Sequence, residues 1–428
     1  MLQNLHLKNV GPAPELEMEF ASRLNVITGD NGLGKSFLLD VAWWALTRTW
    51  TSNVARPRAD ATGPAKISFK FHTKTKAIDY ESTFDRPSQT WTGKQGRPPN
   101  PGLVLYAQVD GAFAVWDPAR NYWKSKSADS DAQDRPTAYR FAANEVWDGI
   151  ADGHTTLCNG LIRDWAAWQK EKGRSYQLLL AALKGMSPSE EEPLKPGKLT
   201  RISLDDVRDM PTLTTRYAGD VPIVHASAGV RRIVALVYLL VWTWEEHRRA
   251  SELLGQEPTR QIIFLIDELD THLHPRWQRR VLRALFDVVS DLISGGEADI
   301  QVVTATHSPL VMASLEPLFD DEKDAVWHLA LEKKEVSLQR EKWAKQGDVH
   351  DWLVSDTFGL RQARSIEAEI VIEAAEAFMG GRLSECPANL NTERKIDAEL
   401  RQQLPGHDAF WPRWVVANDK SMRKAKAK

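Results

Sequence analysis

Residues 29–36, Gly-Asp-Asn-Gly-Leu-Gly-Lys-Ser, bring three glycines, a lysine and a hydroxyl together in the spacing GxxxxGK[ST]. The glycines let successive backbone N–H groups curl toward one point, which suits the oxygens of a phosphate chain. The lysine adds a full positive charge for the terminal phosphates, and the serine hydroxyl is a ligand for a divalent cation. The apolar run "LNVIT" enters this loop and "SFLLDVAWWAL" leaves it. A buried strand therefore leads in, and a helix leads out with its positive dipole end toward the same anion. That context argues against a mere glycine turn with a surface lysine. Gly29, Asp30, Asn31, Gly32, Leu33, Gly34, Lys35, Ser36 and Phe37 are read as nucleotide-binding residues, and Ser36 also as a metal ligand.

Two more apolar runs end in groups that complete a phosphate chemistry. In "QIIFLIDELD" the strand Ile262–Ile266 delivers Asp267 and Glu268. Asp267 can hold Mg²⁺ through water, and Glu268 can take the proton of an attacking water. In "IQVVTATHSP" His307 leaves a strand where a γ-phosphate would lie and can donate a hydrogen bond to it. A second anion site comes from "HASAGVRRI", where Ser227-Ala228-Gly229 precedes a helix. One fold cannot present two cradles to one γ-phosphate from the same side, so Ser227 and Gly229 are assigned to the ATP of another subunit. The plainer alternative for Ser227 is an ordinary helix N-cap.

At 428 residues the chain exceeds the usual single-domain size, with 42% apolar and 26% charged residues. A net charge of −3 restricts any nucleic-acid surface to a local patch. Cys158 and Cys386 form no CxxC pair, which excludes a disulfide framework or zinc knuckle and suits a reducing compartment. The N-terminus shows no secretion signal. The longest apolar stretch, Ile233 to Trp244, is too short to span a bilayer and runs into "EEHRR". It is read as a buried core helix, and the protein as cytoplasmic with no membrane partner.

The elements that must position these residues follow from periodicity. Leu5, Leu7, Val10, Leu16, Met18 and Phe20 alternate around a Gly-Pro-Ala-Pro turn. Ile67, Phe69 and Phe71 share one strand face, "LVLYAQVDGAFAVWD" is a hairpin turning on Asp110-Gly111, and "DAVWHLALEKKEVSLQ" is another. Leu161, Trp165 and Trp168 make a helical stripe in an inserted arm. One helix is expected from His274 to Ser294, and another from Ser365 to a glycine pair. Strands alternating with helices imply a mixed sheet with helices on both faces, an α/β fold. Residues 1–134 and 202–335 are expected to form one nucleotide-binding head, 135–201 the arm, and 336–428 a mostly helical region ending in the basic tail "KSMRKAKAK".

The order of these motifs, phosphate loop, S-x-G, hhhhDE and strand-end histidine, resembles the ABC-type P-loop ATPases. Within that class the chain is similar to the SMC, RecF, Rad50 and OLD-like heads. "DELDTHLHP" with "THSP" resembles most closely the bacterial OLD-like ATPases, including those of Septu-type antiphage systems. The resemblance covers about residues 1–45 and 220–315. It implies ATP and Mg²⁺ as cofactors, Glu268 and His307 as catalytic groups, and a homodimer or higher oligomer closed around ATP. It further implies the loop of Asp270, His272 and His274 as a contact with the other subunit. A glutamine metal ligand is also implied; Gln108, after "LVLYA", is one position for it, and Asn144 and Glu145 precede the arm more directly. Ala228 stands where many relatives have a second glycine.

The implied activity is Mg²⁺-dependent ATP hydrolysis coupled to a DNA-linked process. Antiphage defence with a separate nuclease or effector is preferred, with a slow nucleotide-gated scaffold or a RecF-like repair ATPase as alternatives. DNA is a candidate contact. After His307 there is no DxD pair and no HNH-like cluster, and Glu367, Glu369, Glu373 and Glu376 fall at the spacing of a solvated helix face. Purified chain incubated with plasmid, ATP, Mg²⁺ and Mn²⁺ should therefore leave the DNA intact on an agarose gel.

Overall fold

The computed structural model describes residues 1–51, 53–72, 77–93, 100–121, 138–293 and 298–418. Two compact units result, Met1–Asp348 and Val349–Lys428. The first begins with β1 (Leu2–Lys8) and β2 (Glu15–Glu19), then runs through β3 (Leu24–Gly29) into α1 (Lys35–Thr47). β4 (Lys66–His72), β5 (Ala77–Asp85) and β6 (Thr90–Trp91) follow. The hairpin β7 (Leu103–Ala107) and β8 (Phe113–Trp116) leads to α2 (Pro118–Asn121) and the edge strand β9 (Tyr139–Phe141). Next come α3 (Ala143–Asp148), β10 (Ile150–Asp152), β11 (Thr155–Cys158), α4 (Leu161–Glu171) and α5 (Arg174–Gly185). A small sheet of β12 (Lys195–Pro196), β13 (Thr212–Thr215) and β14 (Gly219–Pro222) precedes the long helix α6 (Ala228–Leu253). The unit closes with β15 (Gln261–Ile266), α7 (Pro275–Gln278), α8 (Val281–Leu292), β16 (Asp299–Ala305), α9 (Pro309–Leu315), β17 (Asp324–Glu332) and β18 (Glu335–Glu341).

Eight strands form the main sheet in the order β18-β17-β3-β16-β15-β7-β8-β9. β17, β3, β16, β15 and β7 are parallel to one another, β18 and β8 run antiparallel to them, and the edge strand β9, antiparallel to β8, returns to their direction. The parallel strands are covered on both faces, which is why they read as continuous apolar runs rather than as alternations. Val104, Tyr106, Ile263 and Leu265 share a core with Leu38, Leu39 and Trp43 of α1 and with Ile67, Phe69 and Phe71 of β4. β4 lies in a second, antiparallel sheet, β2-β1-β4-β5-β6, where Leu7 faces Leu16 and Leu5 faces Met18. On the opposite face Leu103, Leu105 and Ile262 meet Leu240 and Trp244 of α6 and Val289 of α8.

Both hairpins form, with Gly111 and Lys333 at positive φ. Asp110 closes the first by accepting from the Ala112 N–H at 2.9 Å. The apolar stretch Ile233–Trp244 lies in α6 and is nearly all buried. No helix among the described residues is long and apolar enough to cross a membrane. In the inserted segment, α4 buries Leu161, Trp165 and Trp168, α5 packs along α6 and α8, and α4 packs on α6.

Three expectations change. The helix expected from His274 to Ser294 is two helices, broken at Arg279 and Arg280. Trp277 Nε1 donates to the Met186 carbonyl and Gln278 Nε2 to the Leu273 carbonyl, which anchor the first piece independently of the second. Ser294 lies outside the described residues. The boundary at 335/336 falls inside β18, whose residues pair with β17; the chain divides after Asp348 instead. Residues 135–201 begin with an edge strand of the main sheet, β9, so that segment is only partly helical. The 134/135 boundary itself and the basic tail Lys420–Lys428 lie outside the described residues.

The second unit contains α10 (Val349–Val354), α11 (Ile366–Met379), α12 (Glu393–Gln403) and α13 (Trp411–Asn418). Ser365 caps α11 by accepting from the Ala368 N–H. Val371, Ile372, Ala375, Ile396, Leu400 and Trp414 form its separate core. Glu367 is exposed, whereas Glu373 and Glu376 pair with Arg361 and Arg413.

A buried glutamine joins the two sheets. Gln301, fully buried on β16, accepts from the Leu2 N–H at 2.9 Å and donates to the carbonyls of Leu2 (2.8 Å) and Ala21 (2.9 Å). Gln301→Leu keeps the bulk but strands these backbone groups, at about 1–3 kcal/mol for each one left unsatisfied. Urea denaturation should show the variant unfolding at clearly lower denaturant than the wild type.

Candidate functional site

The carboxyl ends of β3, β16, β15 and β7 lie side by side, and each ends in a residue singled out by the sequence. β3 opens into the glycine loop. Gly29, Gly32 and Gly34 have φ of 128°, 80° and 104°, a region costly for side-chain-bearing residues. A Cβ on Gly29 would also lie 2.2 Å from the Leu329 carbonyl oxygen of the neighbouring β17. No side chain caps α1, so the N–H groups of its first turn remain available to an anion. Lys35 is 5% exposed, and its Nζ donates to the carbonyls of Gly29 and Asp30, both at 2.8 Å. Burial lowers the Lys35 pKa, while Glu268, Asp267, Asp30 and Asp270 work against that shift. Leu33 is buried, and the Phe37 ring lies against Gly11, so anything these two offer a phosphate comes from their backbone.

β15 pairs with β7 so that Ile266 faces Ala107, and the Asp267 N–H donates to the Ala107 carbonyl at 2.9 Å. Asp267 is 2% exposed, and the Ser36 side chain acts to lower its pKa. Its Oδ1 is buried with no hydrogen-bond partner. Burial raises the Asp267 pKa, and the charges of Glu268 and Asp40 push the same way. Glu268 has φ of 46°, a strained left-handed conformation for a residue with a side chain. Its Oε2 accepts from Thr271 Oγ1 at 2.8 Å, and its Oε1 lies 3.9 Å from His307 Nε2. That Nε2 is a second buried polar atom with no hydrogen-bond partner. Burial first and Lys35 second lower the His307 pKa below its ordinary value, which favours the neutral ring. Thr306 Oγ1 donates to Asp270 at 2.5 Å, which joins the end of β16 to the loop after β15.

Gln108 immediately follows β7, next in line beside Asp267, whereas Asn144 and Glu145 sit on α3, where Glu145 accepts from the Ala142 N–H. Ser227 caps α6 by accepting from the Val230 N–H at 3.4 Å. A Cβ on Gly229 would lie 2.6 Å from the His272 carbonyl oxygen, so the start of α6 packs on the loop of Asp270, His272 and His274. His274 caps α7. Sequence reasoning passed over Arg232. From the first turns of α6 it donates to the carbonyls of Val109 (2.8 Å), Asp267 (3.1 Å) and Glu268 (3.1 Å). It thereby ties the S-x-G helix to the acidic strand end across a cleft of about 310 Å³. Its only trace in the sequence is an Arg pair just ahead of the apolar run of α6.

A hydroxyl, a buried carboxylate with one oxygen unpartnered and an amide carbonyl at one edge form an all-oxygen donor set, which fits Mg²⁺. The uncapped helix start, the glycine loop and Lys35 fit a phosphate chain. A family model described as "AAA domain, putative AbiEii toxin, Type IV TA system" matches residues 24–313. The Septu protein PtuA of Bacillus thuringiensis is 21% identical over 391 residues, 88% of each chain. The Retron Vc95 probable ATPase of Vibrio cholerae serotype O1 biovar El Tor is 40% identical over 104 residues, 23% of this chain and 17% of that one. The SMC head domain from Thermotoga maritima superposes over 80% of this chain and 99% of that one, at 14% identity and a TM-score of 0.40. Since the family match spans well over half of the 428 residues and takes in each of the four strand ends, this chain belongs to that AAA-domain family.

Proposed function

We propose that the protein hydrolyses ATP, with Mg²⁺, at this strand-end site, and that two copies close around two nucleotides. The observation that carries the reading is the convergence of Lys35, Asp267, Glu268 and His307 on neighbouring strand ends, with Asp267 Oδ1 and His307 Nε2 both lacking partners. Gly29, Asp30, Asn31, Gly32, Leu33, Gly34 and Phe37 wrap the phosphates with backbone groups. Lys35 exchanges its two loop carbonyls for the β- and γ-phosphates. Ser36, Asp267 and Gln108 would hold the cation, which when bound neutralises charge on the β- and γ-oxygens. Glu268 orients the attacking water and accepts its proton, and the neutral His307 donates to the γ-phosphate.

Ser227 and Gly229 of a second copy serve the far side of the nucleotide; in their own chain Ser227 is exposed and caps α6, while Gly229 packs against the His272 loop. Arg232 makes α6 responsive to the strand end that carries Glu268. The resemblance to Septu-type ATPases supports antiphage defence as the purpose, with a nuclease or other effector as a separate partner and DNA as a candidate trigger. A second reading, a slow nucleotide-gated scaffold, is favoured by the engaged state of the site: Glu268 is held by Thr271 and Lys35 by the loop. Turnover strongly stimulated by DNA supports the first, and slow turnover indifferent to DNA the second.

Glu268→Gln keeps the shape of the side chain but cannot accept a proton. Phosphate release should fall by about 10²–10⁴-fold while ATP still binds, and sizing in ATP and Mg²⁺ should show an accumulated dimer. A wild-type rate in this variant removes Glu268 from the chemistry. Lys35→Ala should lose ATP binding itself, measured with a fluorescent analogue, because backbone dipoles alone do not balance the phosphate charge.

A further inference from the structure

Thr271, half-buried in the loop after β15, has no assigned part in the chemistry above, yet its hydroxyl touches the proposed base. Thr271 Oγ1 donates to Glu268 Oε2 at 2.8 Å. The other oxygen, Oε1, lies 3.9 Å from His307 Nε2 and accepts no hydrogen bond among the described residues. The main chain already closes this turn, because the Thr271 N–H donates to the Glu268 carbonyl at 3.1 Å. Arg232 donates to that carbonyl as well, also at 3.1 Å. The turn therefore does not need the hydroxyl, and what remains for it to fix is the glutamate side chain. The last torsion of a glutamate is broad and does not choose between its two oxygens. A donor bonded to one oxygen settles which one is left free. Hydrogen bonds to an ionised carboxylate are roughly twice as strong as neutral ones. Threonine, branched at Cβ, also holds its hydroxyl with little freedom about χ1.

We infer that Thr271 is a positioning residue for the base, turning Glu268 so that Oε1, on the His307 side, takes the proton of the attacking water. This rests on the ATP hydrolysis proposed above. A contact that kept the site idle would engage the oxygen facing His307, the group assigned to the γ-phosphate. Here that oxygen is the free one, and proton transfer needs only one. Arg232 holds the backbone at the Asp267 and Glu268 carbonyls while Thr271 holds the side chain, so the carboxylate is set before any nucleotide arrives. Groups fixed in advance need no reordering at the moment of reaction. A misplacement on the order of 1 Å typically costs about 10²-fold in rate. The hydroxyl thus acts through Glu268 and not on the substrate.

Steady-state and single-turnover hydrolysis of ATP by Thr271→Val, which keeps the shape and loses the hydroxyl, tests this. kcat should fall by about 10–100-fold, with KM and the affinity for a fluorescent ATP analogue unchanged. Thr271→Ser, which keeps the donor, should restore most of the rate. In the Glu268→Gln background Thr271→Val should cost nothing further in single turnover, since both lesions act on one group. An unchanged kcat in Thr271→Val overturns the proposal, and so does weaker ATP binding in place of a slower kcat. A raised kcat overturns it too, and makes the contact the restraint that the scaffold reading needs. An additive loss on top of Glu268→Gln has the same consequence, because the hydroxyl then acts elsewhere. Should Thr271→Val not fold, Thr271→Ala gives the same comparison without the branched side chain. Failure of both to fold makes the threonine structural and overturns the proposal. A wild-type protein that hydrolyses no ATP, or a Glu268→Gln variant at the wild-type rate, overturns the proposed function itself, and this inference with it.

Discussion

A buried ammonium among carboxylates sets the terms for this site. Lys35 is almost wholly removed from water, and Asp30, Asp267, Glu268 and Asp270 all act on its charge. Inside a protein such charges interact several-fold more strongly than in water, so none of these groups can be placed independently of the others. These acidic groups outnumber Lys35, and burial first, with the charge of Glu268 after it, raises the Asp267 carboxyl pKa. An arrangement of that kind is stable enough to fold yet electrostatically incomplete. On the function proposed above, polyphosphate would bring negative charge to Lys35 and its accompanying metal positive charge to Asp267.

The architecture that permits this is the parallel alignment of β3, β16, β15 and β7. Parallel strands need helical crossovers, and the crossovers force every loop after a strand onto the same edge. Residues more than two hundred positions apart in the chain, Lys35 and His307 among them, thereby come within electrostatic reach. The cost is backbone strain at the edge itself. Glu268 is held at a positive φ that a glutamate disfavours, and it stays there because Arg232 grips the two carbonyls before and at that position.

The same helix that carries Arg232 is bound firmly to the inserted segment. Tyr238 donates to Asp164 of α4 at 2.8 Å, and Glu245 accepts from Arg174 and Ser175 at the start of α5, both at 3.1 Å. These are buried or half-buried contacts on one rigid rod, so the S-x-G end, the acidic strand end and the inserted helices are mechanically one body.

The loop around Lys35, the acidic pair and the strand-end histidine were legible in the sequence because each follows an apolar run long enough to be a buried strand, and because chemistry at a strand end is local. The hairpin at Asp110-Gly111 was legible for the same reason: turn residues act within four positions. What no local pattern carried was partnership across the sheet. That Gln108 rather than Asn144 or Glu145 sits beside Asp267 follows from the register of β7 on β15, which depends on strand order. The roles of Gln301 and Arg232 likewise depend on which backbone groups the fold delivers to a single polar side chain. The division at Asp348 was hidden as well, because β18 gains its strand identity only by pairing with β17. Sequence by itself determined which residues could do chemistry, since that is a property of side chains and their immediate neighbours. Tertiary structure alone decided which of them meet, since burial and long-range hydrogen bonds exist only once the sheet has closed.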